Sequence, residues 1–166
     1  GFIRDDFAGG NSSSGNIGSL NWTHNLQGTQ AYVNAPVGHV GVYQRSTTNS
    51  SYTSNFLAAT SIIGVMNPSD SFTNSWNLIL DQNDLDTFCI FGVNGSGDAP
   101  LPNNGIYIEK RFGDTSWFGV CRSSSVQSRV EIQAVDLLYH DFVIRRVDGT
   151  TIGFSIDGGP EVTLNT

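Results

Sequence analysis

Hydrolysing a glycosidic bond takes two carboxylates set about 5–9.5 Å apart, the spacing depending on mechanism. The nearest arrangement in this chain is Glu131-Ile132-Gln133-Ala134-Val135-Asp136. Side chains alternate between the faces of a regular strand, so Glu131 and Asp136, five residues apart, point opposite ways. Only a bulge brings them together. Without one they are a strand-end Glu and a loop Asp. Nucleophilic triads have less to work with. His24, His39 and His140 are the only histidines, and no Gly-x-Ser-x-Gly elbow is present. His140 follows an aromatic residue at a strand start, the setting of a structural histidine.

Two other constellations could hold a ligand. Asp81, Asn83, Asp84 and Asp86 crowd oxygen ligands into one loop, as Ca²⁺ requires. The loop departs from the EF-hand, with Leu85 at the fifth position and no glycine at the sixth, and the favoured competing reading is a solvated turn. Sugar binding uses aromatic platforms with planar polar partners. Tyr107 and Glu109 share a strand face opposite Ile106 and Ile108, Trp117 opens the paired strand, and Arg122 closes it on the other parity. If Ile106 and Ile108 point into a core, Tyr107 and Glu109 line the outer face of their sheet. The competing reading has Trp117 plugging one end of a sandwich and Glu109 paired with Arg111.

Composition bounds what can position these groups. The 166 residues are expected to make one domain, burying roughly 70% of the unfolded surface. Charged residues are sparse at 14%, aromatics reach 11%, and polar uncharged loops separate β-branched runs, which fits an all-β sandwich. The net charge of −7, with eight Lys and Arg in all, gives little phosphate-tracking surface and argues against nucleic-acid binding. No run approaches the ~20 apolar residues of a membrane span. No signal peptide is visible, and the start at Gly1 suggests processing or excision from a longer chain. Cys89 and Cys121 lie in strand-like runs and read as buried free thiols rather than a bridge.

The elements are strands. Ser71–Leu80 puts Phe72, Trp76, Leu78 and Leu80 on one parity. Ile106–Phe112 should pair with Trp117–Arg122 across Gly113-Asp114-Thr115-Ser116. Residues 138–164 read as a meander, with Asp148-Gly149 and Gly158-Gly159 supplying the positive φ angles of tight turns. The expected core is Phe142, Ile144, Ile152, Phe154, Ile156, Leu78, Leu80, Phe88 and Ile90. Earlier strand candidates are 29–33, 38–45 and 58–66, with a Ser/Thr/Asn loop over 46–54. No stretch sustains helical spacing, although a short helix would fit at 135–139.

Four pieces then occur in a telling order: Asn104-Gly105-Ile106-Tyr107-Ile108-Glu109-Lys110; Gly113-Asp114-Thr115-Ser116-Trp117-Phe118-Gly119-Val120; Tyr139-His140-Asp141-Phe142-Val143-Ile144; and Phe154-Ser155-Ile156-Asp157-Gly158. Together they resemble the concanavalin A-like (laminin G-like) jelly-roll domains of tailed-phage virion proteins. Asp5-Asp6-Phe7 with Ile17-Gly18-Ser19-Leu20-Asn21-Trp22 looks like the start of such a domain, and Gly38-His39-Val40-Gly41-Val42 fits its early strand. The resemblance implies two curved antiparallel sheets with a convex and a concave face. Laminarinase-type enzymes of this fold use Glu-x-Asp-x-x-Glu, from which Gln133 and Asp136 depart. Domains of this type usually carry a further strand after the last hairpin, so the expectation is that this chain has lost a final strand, belongs to a longer one, is completed by a neighbour, or closes differently.

The resulting expectation is a non-enzymatic structural or adhesion module of a phage-like virion: capsid decoration, fibre or tail component. It would sit on the virion surface or otherwise outside cells. Its expected partners are other virion proteins, copies of itself and surface glycans, with no nucleic acid, no membrane and no cofactor beyond Ca²⁺ at the acidic loop. Val162, Thr163, Leu164, Asn165 and Thr166 form a poorly protected edge, expected at an intersubunit contact. The alternatives are a laminarinase-like glycan hydrolase and a free lectin domain.

Overall fold

The computed structural model describes residues 70–78, 80, 89–96 and 102–166, with 94–96 by backbone alone, and the backbone of six short strands in the first third of the chain. Two compact units result, Gly1–Met66 and Asn67–Thr166. In the first, β1 (Gly10–Asn11) pairs with β2 (Asn16–Ile17), β3 (Thr23–Leu26) with β6 (Thr53–Phe56), and β4 (Gln30–Val33) with β5 (Gln44–Thr47), all antiparallel. β4 falls within the expected strand at 29–33. β5 begins at the end of the one expected at 38–45, and β5 and β6 take in both ends of the tract read as a loop. Threonine is β-branched and suits strands, which a composition-based loop assignment overlooks. The candidate at 58–66 lies outside the described residues.

The second unit is a β-sandwich of two four-stranded antiparallel sheets. One has the order β11 (Val126–Ala134), β10 (Ser116–Ser123), β9 (Asn104–Lys110), β8 (Cys89–Ser96). The other has the order β14 (Val162–Asn165), β13 (Thr151–Ile156), β12 (His140–Arg146), β7 (Phe72–Leu78). No helix occurs among the described residues; 135–139 is a turn, and Leu137 and Leu138 are exposed on it.

Turn chemistry sets the registers. The β9–β10 hairpin forms as its sequence predicts, with Phe118 opposite Glu109 and Val120 opposite Tyr107. The β13–β14 turn also forms, but its left-handed residues are Asp157 (φ 53°) and Gly158 (φ 67°), one position before the Gly-Gly pair. Two positive φ angles in succession make the hairpin turn whose twist matches the flanking strands. At the β12–β13 turn Gly149 is not left-handed; instead Asp148 Oδ1 accepts from the Thr150 and Thr151 amides, each at 2.8 Å. A short polar side chain here does the work assigned to glycine.

The core lies between the sheets. Ile108, Trp117, Cys121, Val135, Phe142, Ile144, Ile152, Phe154 and Ile156 are buried together, and Phe72, Trp76, Leu78, Leu80, Cys89, Phe91, Val162 and Leu164 pack on them. Aromatic rings anchor it: Phe91 and Trp117 each meet Phe142 edge-on at 4.9 Å. Ile90 is a correction. It pairs with Glu109 and faces away from this cluster, while Cys89 and Phe91 turn inward. The run Phe88-Cys89-Ile90-Phe91 is apolar at every position, so periodicity carries no face information there; Phe88 lies outside the described residues. Cys89 and Cys121 are free thiols on β8 and β10, with β9 between them. Cys89 sits opposite Lys110 and Cys121 opposite Ile106, far beyond the ~7 Å Cα limit for a bridge. Burial pushes both thiols up to about 11, against the opposing pull of Lys110 on Cys89 and of Arg146 on Cys121.

His140 ties one end of the sandwich together. It is 7% exposed. Its Nδ1 lies 2.6 Å from Asp157 Oδ2 in the β13–β14 turn, and its Nε2 lies 2.7 Å from Asp136 Oδ1 in the β11–β12 turn. Asp157 raises the His140 pKa most, burial opposes it, and Asp136 adds to the rise. The His140 hydrogen bond in turn lowers both Asp136 and Asp157.

Candidate functional site

The outer face of the β8–β11 sheet gathers the polar chemistry of this unit. Pairing puts Tyr107, Glu109, Phe118, Val120, Arg122, Gln127 and Arg129 on one face, across three adjacent strands. Arg111 and Asp114 join them from the β9–β10 turn. This face is not an open platform. Tyr107 is 2% exposed and Glu109 0%, so β9 is buried on both faces over residues 107–110.

Glu109 is the hub. Its Oε1 accepts from Arg129 Nε at 2.7 Å. Arg111 Nε lies 2.8 Å from the same oxygen, at an angle that makes a charge contact without a hydrogen bond. Arg129 continues to Asp114 through Nη2, and its guanidinium stacks 3.7 Å over the Phe118 ring, a cation–π contact. A planar guanidinium is thereby held flat by two carboxylates and a ring.

The next two arginines are held differently. Arg111 Nη2 and Arg122 Nη1 both donate to Gln127 Oε1, at 2.6 and 3.1 Å. Two cations converge on one neutral oxygen. Nitrogens so placed are less than ~6 Å apart, and two unit charges at that distance repel by roughly 3 kcal/mol at an effective dielectric near 20. Arg111 has Glu109 beside it; Arg122 has no carboxylate among its described partners. Three arginines therefore share this face with Glu109, Asp114 and Glu131, the last placed there opposite Phe118, in a chain of net charge −7.

Buried atoms around this group lack hydrogen bonds among the described residues: Glu109 Oε2, Tyr107 Oη, Arg111 Nε and Arg122 Nε. The Tyr107 hydroxyl sits beside Arg122. Burial raises its pKa most, Glu109 adds to the rise, and Arg111 and Arg122 pull it down. Buried polar atoms are usually paired, and an orphan costs about 1–3 kcal/mol, so a cluster of orphans marks unused binding capacity.

A strained turn sets the geometry. Ser124 and Ser125 are both left-handed, at φ 48° and 70°, and the turn they form puts Arg122 opposite Gln127. Non-glycine residues pay for this conformation. The cost is offset by Asn104 Oδ1 accepting from the Ser124 amide at 2.8 Å and Asn103 O accepting from the Ser125 amide at 3.0 Å. Sequence reading missed this turn, because Ser-Ser carries no glycine signal; Asn103-Asn104 was the available clue.

The remaining expected residues separate. Trp117 is in the core, on the opposite face from Tyr107 and Glu109, packed on Phe91 and Phe142. Its indole cannot share a site with them. Glu109 does contact Arg111, the geometry of the competing reading. Asp81, Asn83, Asp84 and Asp86 lie outside the described residues. The Glu131–Asp136 pair meets the bulge it needed, since β10 and β11 shift register between Trp117 and Phe118, at Ile132. Yet Glu131 Oε1 accepts from Ser116 Oγ at 2.6 Å within its own sheet, whereas Asp136 binds His140 at the start of the other sheet. Among the described residues Val162–Asn165 is the end strand of its sheet, bonded to β13 alone, and the Thr166 amide donates to Thr150 O at 2.8 Å. Among the described residues no group of three His, Cys, Asp or Glu side chains is placed to hold a metal ion.

No protein-family model, curated protein or solved structure matches this chain.

Proposed function

We propose that this chain is a non-enzymatic structural and adhesion module of a phage-like virion, closed as a concanavalin A-like jelly roll, which contacts surface glycans through the outer face of the β8–β11 sheet. The observation that carries the reading is the arginine row on that face, fixed over buried polar atoms that still have hydrogen-bonding capacity. Sugars offer hydroxyls that donate and accept, which suits a surface rich in both kinds of group. The carboxylates nearby hold structure: Glu109 and Asp114 on Arg129, Glu131 on Ser116. The free edge of β14 supplies the assembly contact, a neighbouring copy or another virion protein adding along Val162–Asn165. The test is a carbohydrate panel with two readouts, retention of the purified protein and release of reducing ends. Retention without release is expected. Release that disappears in Glu131→Gln would overturn the non-enzymatic reading. Electron microscopy of the native source separates a virion part, present in many symmetric copies, from a free lectin.

A further inference from the structure

The convergence of Arg111 and Arg122 on Gln127 Oε1 has a chemical remedy. One negative charge seated against both guanidiniums would relieve their repulsion, Arg111 being already in contact with Glu109 and Arg122 having no described carboxylate of its own. From these contacts we infer that this face selects an acidic saccharide, whose ring carboxylate docks on the Arg111–Gln127–Arg122 corner. The inference rests on the glycan-binding reading and narrows it.

Three observations favour a single sugar carboxylate. Arginine forks match planar carboxylates bidentately, so the geometry suits a ring carboxylate. Arg122 is the one arginine of the three without a carboxylate among its described partners, so the corner accepts one charge rather than a run. The net charge of −7 repels dense polyanions, which favours a saccharide with isolated acidic units between neutral ones. Glu109 Oε2 then stands ready to accept from a hydroxyl of the same ring, while Tyr107 Oη lies against Arg122. Glu109 is buried, so engaging it requires the half-buried Arg111 and Arg129 to shift outward on binding. The strained Ser124-Ser125 turn beside Arg122 fits a local rearrangement of this kind.

The experiment is equilibrium binding of the full chain to a trisaccharide with one internal glucuronic acid, to its carboxyl-reduced counterpart, to a sulfated analogue and to inorganic sulfate. The acidic trisaccharide should bind at least about tenfold tighter than the reduced one and weaken as salt is raised. Arg122→Gln should abolish that preference, Arg122→Lys should keep part of it, and Arg145→Gln on the other sheet should leave it unchanged, with thermal melts confirming that each variant folds. Equal binding of the acidic and reduced sugars overturns the inference while leaving glycan binding intact. Tighter binding of the sulfated analogue overturns the carboxylate assignment. Binding of inorganic sulfate with no saccharide retained, here or on the wider panel, overturns both readings.

Discussion

Gly119 lies under the Phe154 ring, and replacing it with alanine tests how tightly the two sheets meet. A Cβ at 119 would stand 2.5 Å from Phe154 Cγ and Cδ2 and 2.8 Å from Cδ1. Carbon atoms rest about 3.5–4.0 Å apart, so the ring would have to retreat by roughly an ångström. Phe154 is fully buried among Ile108, Phe142, Ile144 and Ile152, with no solvent side to retreat to. Overpacking of this kind costs about 1–3 kcal/mol. Alanine recovers about 0.5–1 kcal/mol of the entropy glycine loses in a strand. Gly119→Ala should therefore lose about 1–2 kcal/mol, a fall in Tm of roughly 2–8 °C at this chain length. Urea unfolding followed by tryptophan fluorescence reads it, since Trp76 and Trp117 both contact the core. Gly153→Ala is the matched control. Its Cβ would meet the Glu161 carboxylate at 2.2–2.6 Å, the movable end of a side chain that can swing away. It should cost no more than the exposed Arg145–Glu161 pair it displaces, about 1 kcal/mol or less. In a Phe154→Leu background the Gly119→Ala penalty should shrink. A Gly119→Ala protein as stable as the parent, or less perturbed than Gly153→Ala, would refute the packing argument.

Two further outcomes follow from the titrating groups. His140 has a raised pKa, so its contribution to stability is fully present below the ordinary histidine value and is lost as pH rises through the raised one; Asp136 and Asp157 are lowered, so theirs is present above the ordinary aspartate value and is lost as pH falls through the lowered ones. The urea midpoints of parent and His140→Gln should thus differ most between about pH 4 and 6.5, and converge toward pH 9 and toward pH 2; a constant difference across that range would remove the charge from the account. With both thiols pushed up to about 11, roughly one in a thousand is a thiolate at pH 8. A disulfide reagent should label Cys89 and Cys121 slowly in the native protein and rapidly in denaturant, and fast native labelling would contradict their burial.

How legible the chain was depends on which signal each segment carries. Where polar and apolar residues alternate, as in Phe72–Leu78 and Thr151–Ile156, the inward face could be read directly, and the structure half-buries it in the first strand and buries it in the second. Where every residue is apolar, as around Ile90, parity had no anchor until Ile90 was placed opposite Glu109. Tyr107, Glu109 and Arg122 were picked out because they share a hairpin. Their neighbours Gln127 and Arg129 were missed, because they arrive from β11 across a turn with no glycine to announce it. Trp117 stayed open between a binding platform and a sandwich plug, because an aromatic at a strand start looks the same in either role; the structure puts it in the core. Asp136 was read as a loop carboxylate; that it grips His140 depends on two turns meeting, which spacing alone does not reveal.

The sheet order β14-β13-β12-β7 also decides how this unit would bear a load. Successive antiparallel neighbours put Phe72, Arg146, Ile152 and Leu164 in one row. The chain therefore enters β7 and leaves β14 at the same end of the sheet, on its two opposite edges. Tension between those points pulls across the strands rather than along them. It meets the ladder one hydrogen bond at a time, as a zipper is opened, and never the whole row in parallel. The pairs reached first include Thr166 on Thr150 and Phe72 opposite Arg146, while the Asp136–His140–Asp157 clamp sits at the far end, beyond the opening fork. A tether made through these two points would yield at low force and stop opening only as it neared that clamp.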